Sequence, residues 1–332
     1  MAKEWTKDDV LKLASAYQGA AVLHAAADLD LFTRMSGEPF SADEAAAALD
    51  ADPRGLRTLL DALVALGFLD KGDEGYHVPP GVVNTLSSKE PGNVLAMVRH
   101  QGSCLRRWAQ LAKVVKTGRA AERVPSIRGA DSDYAAFIEA MDNISGPLAG
   151  QVVASVPVGP FRHLLDVGGG SGSWTIAFLR ANPSARATIF DLPQVMPQAR
   201  DRMAAAGLAD RVSLVAGDFC ADALPRGADL AWVSAIVHQN SRADNRALFA
   251  KVFAALEPGG RILIRDFVME ESRTAPAAGA MFAINMLVGP HVGGTFTFRE
   301  LREDLQSAGF RDVQVLRRDD TMHSIIAASK PG

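Results

Sequence analysis

Asp166-Val167-Gly168-Gly169-Gly170-Ser171-Gly172-Ser173 is the stretch on which the fold turns. It follows His163-Leu164-Leu165, which reads as the start of a short buried strand, and it leads into a helix. Glycines at a strand-to-helix junction let the backbone turn tightly and approach a ligand at the helix N-terminus. The dinucleotide-binding fingerprint spaces its glycines as Gly-x-Gly-x-x-Gly. Gly168 and Gly170 meet it, but Ser173 occupies the third place. The spacing is therefore Gly168-x-Gly170-x-Gly172 behind an acidic residue.

Further strands follow. Ala187-Thr188-Ile189-Phe190-Asp191, Val212-Ser213-Leu214-Val215, Leu230-Ala231-Trp232-Val233 and Arg261-Ile262-Leu263-Ile264-Arg265-Asp266 are separated by helical segments. Strands alternating with helices predict a parallel sheet covered on both faces. Residues 313–316 and 324–328 are expected to pair antiparallel. Such sheets bind ligands beyond the carboxyl ends of their strands. Asp191, at the second of these ends, can accept hydrogen bonds from two ribose hydroxyls. In Gly217-Asp218-Phe219, after the third, Asp218 can accept an adenine amino group while Phe219 packs on the ring. Together with the glycine loop they argue for an adenosine-containing ligand. The plain alternative for either aspartate is a cap on a turn.

The glycine spacing resembles motif I of the class I S-adenosylmethionine-dependent methyltransferases, and Asp191-Leu192-Pro193 resembles their ribose-binding signature. The cofactor this implies is S-adenosyl-L-methionine, held by Asp166, Gly168, Gly170, Gly172, Asp191, Leu192, Asp218, Phe219 and Ser234. A hydroxyl acceptor with a pKa of about 10 or above needs a general base at neutral pH. Of the seven histidines, only His238 directly follows a central strand, in Ala235-Ile236-Val237-His238-Gln239-Asn240. An imidazole there can take a phenolic proton.

The second half is similar to the plant-type small-molecule O-methyltransferase family, which includes caffeate, hydroxyindole and bacterial polyketide enzymes. That family carries its base in a Leu-His-Asp-Trp segment. Val237-His238-Gln239-Asn240 keeps the histidine and departs at the next two positions. Glu257-Pro258-Gly259-Gly260-Arg261-Ile262-Leu263-Ile264 resembles the family's entry to the fifth strand. Asp266 stands where many members have an acid that orients the histidine and stabilises its protonated form. Two departures stand out. Many plant members have a lysine near the cofactor carboxylate where this chain has Ser234, and around Gly293-Gly294-Thr295-Phe296-Thr297 the second glutamate of plant enzymes is missing. The resemblance implies an acceptor lodged between the two halves. Its wall residues would be His100, Trp108, Phe137, Met141, Phe282, Asn285, Met286 and His291. Arg99, Arg106 and Arg107 beside His100 are either a plain solvated helix face or candidates for holding an acceptor carboxylate.

The first half reads as helices. Residues 10–31 have helical apolar spacing over a wide girth, which requires cover on more than one side. Ser41-Ala42-Asp43-Glu44 has the form of a capping box, and Asp52-Pro53 that of an N-cap followed by proline at the first helical position. A polar hairpin is expected within residues 68–78. Helix, helix and hairpin in that order resemble a winged helix. Residues 92–118 and 131–156 are read as two further helices, with a linker at Val156-Pro157-Val158-Gly159-Pro160. The expected fold is α/β: a Rossmann-like seven-stranded class I methyltransferase sheet (156–332) behind an all-helical winged-helix dimerisation and acceptor-pocket domain (1–155).

Composition bounds the function. With 48% hydrophobic and 22% charged residues the chain has apolar material for a core, which excludes a disordered protein. A formal charge of −3 gives no global attraction to nucleic acid or acidic lipid. The two cysteines suit a reducing cytoplasm and make no metal cluster, and no stretch reads as a membrane span. The expected partners are a small-molecule acceptor and a second copy of the chain. Four readings stay open at this point: O-methylation of a small hydroxylated metabolite, S-, N- or C-methylation of a non-aromatic acceptor, a DNA-binding ligand sensor, and an inactive or non-methylating relative. The third is disfavoured because residues 53–66, the recognition-helix candidate, carry only Arg54 and Arg57 as bases.

Overall fold

The structure is a computed structural model that describes residues 4–289 and 292–332. The chain forms two compact units, Met1–Ala109 with Arg123–Asn143, and Gln110–Glu122 with Ile144–Gly332.

The first unit begins with α1 (Lys7–Ser15), α2 (Tyr17–Asp28) and α3 (Leu31–Arg34). The single helix expected over 10–31 is thus broken at Ala16 and again before Leu31. In this chain α1 buries none of its residues, and Trp5, Val10, Leu11, Leu13 and Tyr17 are each more than half exposed. Next come α4 (Ala42–Leu49), α5 (Pro53–Ala65), β1 (Asp70–Gly72) and β2 (Gly75–His77). Both predicted caps form. Ser41 and Glu44 satisfy each other's backbone N–H groups, and Asp52 accepts the N–H of Gly55 at 2.7 Å. Leu56, Leu60 and Leu63, one apolar face of α5, pack with Ala45, Ala46 and Leu49 of α4 and with Phe40 and Tyr76. Phe40 and Tyr76 also form a β-bridge, so the hairpin is stitched to the chain before α4. After α6 (Pro80–Leu86), the helix expected over 92–118 is two, α7 (Leu95–Trp108) and α8 (Leu111–Thr117). Of these, α8 belongs to the second unit, where it packs against α13 (Ala277–Val288).

A further helix, α9 (Ala130–Ala154), belongs to the first unit up to Asn143 and to the second from Ile144. This differs from a division at 155/156. Ala149, Val152 and Val153 share a core with Val156, Val158 and Phe161, so the expected linker is packed chain.

The rest of the second unit is β3 (His163–Val167), α10 (Ser173–Ala181), β4 (Arg186–Asp191), α11 (Met196–Ala205), β5 (Val212–Ala216), β6 (Ala228–Ser234), α12 (Arg242–Ala255), β7 (Leu256–Asp266), β8 (Val268–Met269), the α13 already given, β9 (Phe296–Thr297), α14 (Phe298–Ser307), β10 (Arg311–Arg317) and β11 (Ser324–Ser329). The main sheet has seven strands in the order β10-β11-β7-β6-β3-β4-β5. The pairings from β7 across to β5 are parallel, and β11 pairs antiparallel with both β7 and β10, as residues 313–316 and 324–328 lead one to expect.

Alternation along the strands builds two cores. Leu165, Val167, Ala231, Val233, Ile262 and Ile264 point to the face covered by α12 and α14. Leu164, Leu230, Trp232 and Leu263 point to the face covered by α10, α11 and the end of α9. Asp229 anchors the start of β3 by accepting the backbone N–H groups of Arg162 and His163 at 2.8–3.0 Å. Hydrogen bonds to a charged group contribute about 1.5–3 kcal/mol each in favourable cases. Asp229→Ala is therefore expected to cost about 2 kcal/mol, read as a lower urea midpoint with an unchanged slope.

Candidate active site

The site is built at the carboxyl edge of β3, β4, β6 and β7. After β3 the backbone enters the left-handed region at Gly168, Gly170 and Gly172, with φ of +66°, +56° and +84°. A side chain would be strained by the left-handed backbone at all three, and at the first and third it would also displace a neighbour. A Cβ on Gly168 would lie 2.5 Å from Ile236 Cδ1, and one on Gly172 would collide with Met203 Cε. The loop is then tied down by acids. Gly170 N–H donates to Asp191 Oδ2 and Leu192 N–H donates to Asp191 Oδ1, both at 2.7 Å. Each carboxylate oxygen keeps a second lone pair, the number a ribose diol requires. Behind the loop lies Asp166, 1% exposed, which accepts from Thr175 Oγ1 at 2.6 Å. Burial pushes its carboxyl up to about 7, the Thr175 bond opposes this and the nearby charge of Asp191 adds to it.

The turn after β5 is fixed by Asp218, whose Oδ1 accepts the N–H of Cys220 at 2.8 Å, and by Lys251, which donates to the carbonyls of Phe219 and Cys220. Phe219 is half-buried and lies next to Gly168. Leu192 is 36% exposed beside the loop. The glycine cradle, the spare acceptors of Asp191 and the Phe219 ring fit an adenosyl group.

After β6 the chain makes a strained turn. Ala235 has φ +58°, a conformation costly for a residue with a side chain. The short turn Val237–Gln239 follows, pinned by buried Asn245, which donates to Val237 O and accepts from Asn240. Gly294 N–H donates to His238 O at 2.9 Å, and a Cβ on Gly293 would overlap that same carbonyl. His238 is buried, with Nδ1 at 3.0 Å from both oxygens of Asp266. Asp266 also accepts the backbone N–H groups of His238 and Phe267, at 3.2 and 2.8 Å. A carboxylate already facing two donors accepts from a third, so Nδ1 carries a proton toward Asp266. Among the described residues Nε2 has no hydrogen-bond partner. The Phe282 ring stands edge-on to the imidazole with centroids 4.8 Å apart.

The acceptor-wall residues fall in both units. Phe282, Asn285 and Met286 share α13 in the second, and Met286 is buried. In the first unit His100 and Phe137 pack ring against ring at 5.1 Å, while Met141 is 36% exposed and Trp108 closes α7 half-buried. Burial, with the Arg107 charge beside it, lowers the His100 pKa to about 4, so the ring is neutral at pH 7. His291 lies outside the described residues. The arginine cluster does not stand as expected. Arg99 is paired with Asp30 and Arg106 with Asp28 and Asp133, so two of the three guanidinium groups are spent on structure. Arg107 donates to Cys104 Sγ at 3.3 Å.

Two groups escaped the sequence reading. One is the Gly293-Gly294 seat under His238. The other is Arg265, 2% exposed, which donates to Ser234 Oγ at 2.9 Å and to His323 Nδ1 at 3.0 Å. A charge directly after the apolar run Ile262-Leu263-Ile264 was the available signal. Among the described residues no group of three His, Cys, Asp or Glu could hold a metal, and no helix is long and apolar enough to cross a membrane.

Residues 108–311 match the family model for an O-methyltransferase domain, and residues 11–89 match that for an O-methyltransferase dimerisation domain. The chain is 34% identical to the tetracenomycin polyketide synthesis 8-O-methyl transferase TcmO of Streptomyces glaucescens, over 92% of both chains. It is 31% identical to the 3-hydroxy-5-methyl-1-naphthoate 3-O-methyltransferase of Streptomyces sahachiroi, over 92% of this chain and 90% of that one. Among solved structures it resembles human N-acetylserotonin methyltransferase in complex with SAM, at 25% identity and a TM-score of 0.82 over the full length of both chains.

Asp166 generates a pH prediction. Its folded pKa of about 7 lies above the ordinary carboxyl value, so the folded state holds the extra proton. Its contribution to stability is then complete below about pH 4 and is lost as pH rises through about 7. Asp166→Asn, which still accepts from Thr175, should show a smaller fall in Tm than the parent between pH 5.5 and 8. Parallel curves for the two proteins would contradict this.

Proposed function

Because the chain belongs to the O-methyltransferase family, we propose that it methylates a phenolic hydroxyl of a small aromatic metabolite, with His238 as the general base. It is an S-adenosylmethionine-dependent methyltransferase. The observation that carries the reading is the His238–Asp266 pair, with Nδ1 on the carboxylate and Nε2 uncommitted. When bound, the cofactor supplies an electrophilic sulfonium methyl. The residues of this chain do the rest. Gly168, Gly170 and Gly172 hold the backbone open for the adenosyl group, Asp191 and Leu192 meet the ribose, and Asp218 with Phe219 meets the adenine. His238 Nε2 takes the phenolic proton as the carbon–oxygen bond forms. Asp266 fixes the tautomer that makes this possible and stabilises the imidazolium. Phe282, edge-on to His238, lies where an acceptor ring would pack.

The relatives' names support an aromatic acceptor, since one acts in tetracenomycin polyketide synthesis and another on a hydroxynaphthoate. The exposed apolar residues of α1, beside the match to a dimerisation domain, support a homodimer formed through the N-terminal half. Two free cysteines suit work in the cytoplasm.

A positioned general base contributes roughly 10²- to 10⁴-fold. His238→Ala is expected to lower kcat by that factor, with cofactor affinity within about twofold of the parent by calorimetry. Turnover would be followed by mass spectrometry on hydroxynaphthoate and polyketide phenols. A variant that turns over at the parent rate would remove His238 from the proton transfer.

A further inference from the structure

Arg265 is a buried cation without a carboxylate. It is 2% exposed, and its partners are the Ser234 hydroxyl, His323 Nδ1 and the face of Trp174, with the guanidinium carbon 4.6 Å from the ring centroid. None of these is an anion. Asp266 and Asp319 reach it only through their fields, and no ion pair joins either to it among the described residues. Burial lowers its pKa to about 10, which leaves it charged at neutral pH. A guanidinium has five N–H donors, and the two hydrogen bonds here use two of them. Burying a charge without a counter-charge is costly, and proteins usually keep such a charge where something balances it.

Its location points to what the balance is. Ser234 and Arg265 are register partners at the carboxyl ends of β6 and β7. Trp174 is in the first turn of α10, immediately past the glycine loop, where helix N–H groups also favour negative charge. Asp266, the next residue, points to the opposite face of the strand and meets His238. Arg265 therefore sits at the ligand edge of the sheet, on the glycine-loop side.

We propose that Arg265 is the counter-charge for the α-carboxylate of the cofactor's methionine portion, and that it acts together with Ser234. This rests on the reading that Ser234 faces the cofactor. By donating Nη1–H to Ser234 Oγ, Arg265 turns the hydroxyl proton outward, so the carboxylate meets an O–H donor backed by a fixed positive charge.

The test is equilibrium binding. Calorimetry would compare S-adenosylmethionine with its decarboxylated form on the full-length protein. The parent should prefer the intact cofactor by about 10- to 100-fold, the scale of a charge-assisted hydrogen bond. Arg265→Gln should weaken the intact cofactor by a similar factor, bind the decarboxylated form within about twofold of the parent, and so lose the preference. Arg265→Lys should retain part of it. Ser234→Ala, a small change that leaves the strand apolar, should reduce the same ratio and serves if Arg265→Gln does not fold. Equal weakening of both forms by Arg265→Gln would mean a purely structural role and overturn the proposal. So would a parent that binds both forms equally well. A parent that bound neither would refute the cofactor reading itself, which separates the two failures.

Discussion

The hydrogen bond from Gly170 N–H to the Asp191 carboxylate is the constraint on which the site depends. It joins the loop after β3 to the end of β4, two strands whose parallel pairing leaves their carboxyl ends side by side. Left-handed glycines make the approach possible, because a Cβ at Gly168 or Gly172 would strike Ile236 or Met203. The same arrangement leaves two carboxyl groups close together in a dry place, which is why Asp166 holds its proton to an unusually high pH.

A second dependence runs along β7. Successive residues of a strand face opposite sides. Asp266 reaches one side, where His238 and Phe282 stand, while Arg265 reaches the other, where Ser234 and Trp174 stand. One strand end can therefore present an acid on one side and a cation on the other, with no loop having to supply either group. The strained Ala235 and the seat of Gly293 and Gly294 hold the intervening turn in place.

Much of this was legible beforehand, for local reasons. The short apolar runs, the glycine spacing, the Ser41–Glu44 capping box and the Asp52-Pro53 start each act within a few residues, and each formed where expected. Breaks inside helical stretches were not legible. Ala16 and Ala109 are good helix formers, and nothing near them announces the end of a helix. The two compact units divide within α9, between Asn143 and Ile144, where no local signal marks a boundary. The two parts of this helix differ in what they pack against, not in local character. Arg99 and Arg106 could be read as a solvated helix face or as holders of a carboxylate, and the fold instead brings Asp28, Asp30 and Asp133 to them.

The sequence by itself determined the sheet with its flanking helices, the glycine loop, the acids at the strand ends and the histidine after the fourth parallel strand. All of these are set by short-range stereochemistry and by the two-residue period of a buried strand. Only the tertiary structure decided that two arginines are spent on structural pairs and that Arg265 lies buried against Ser234 without a carboxylate. These facts depend on which distant residues share a desolvated space, where a partner found or missing changes what a charged group can do.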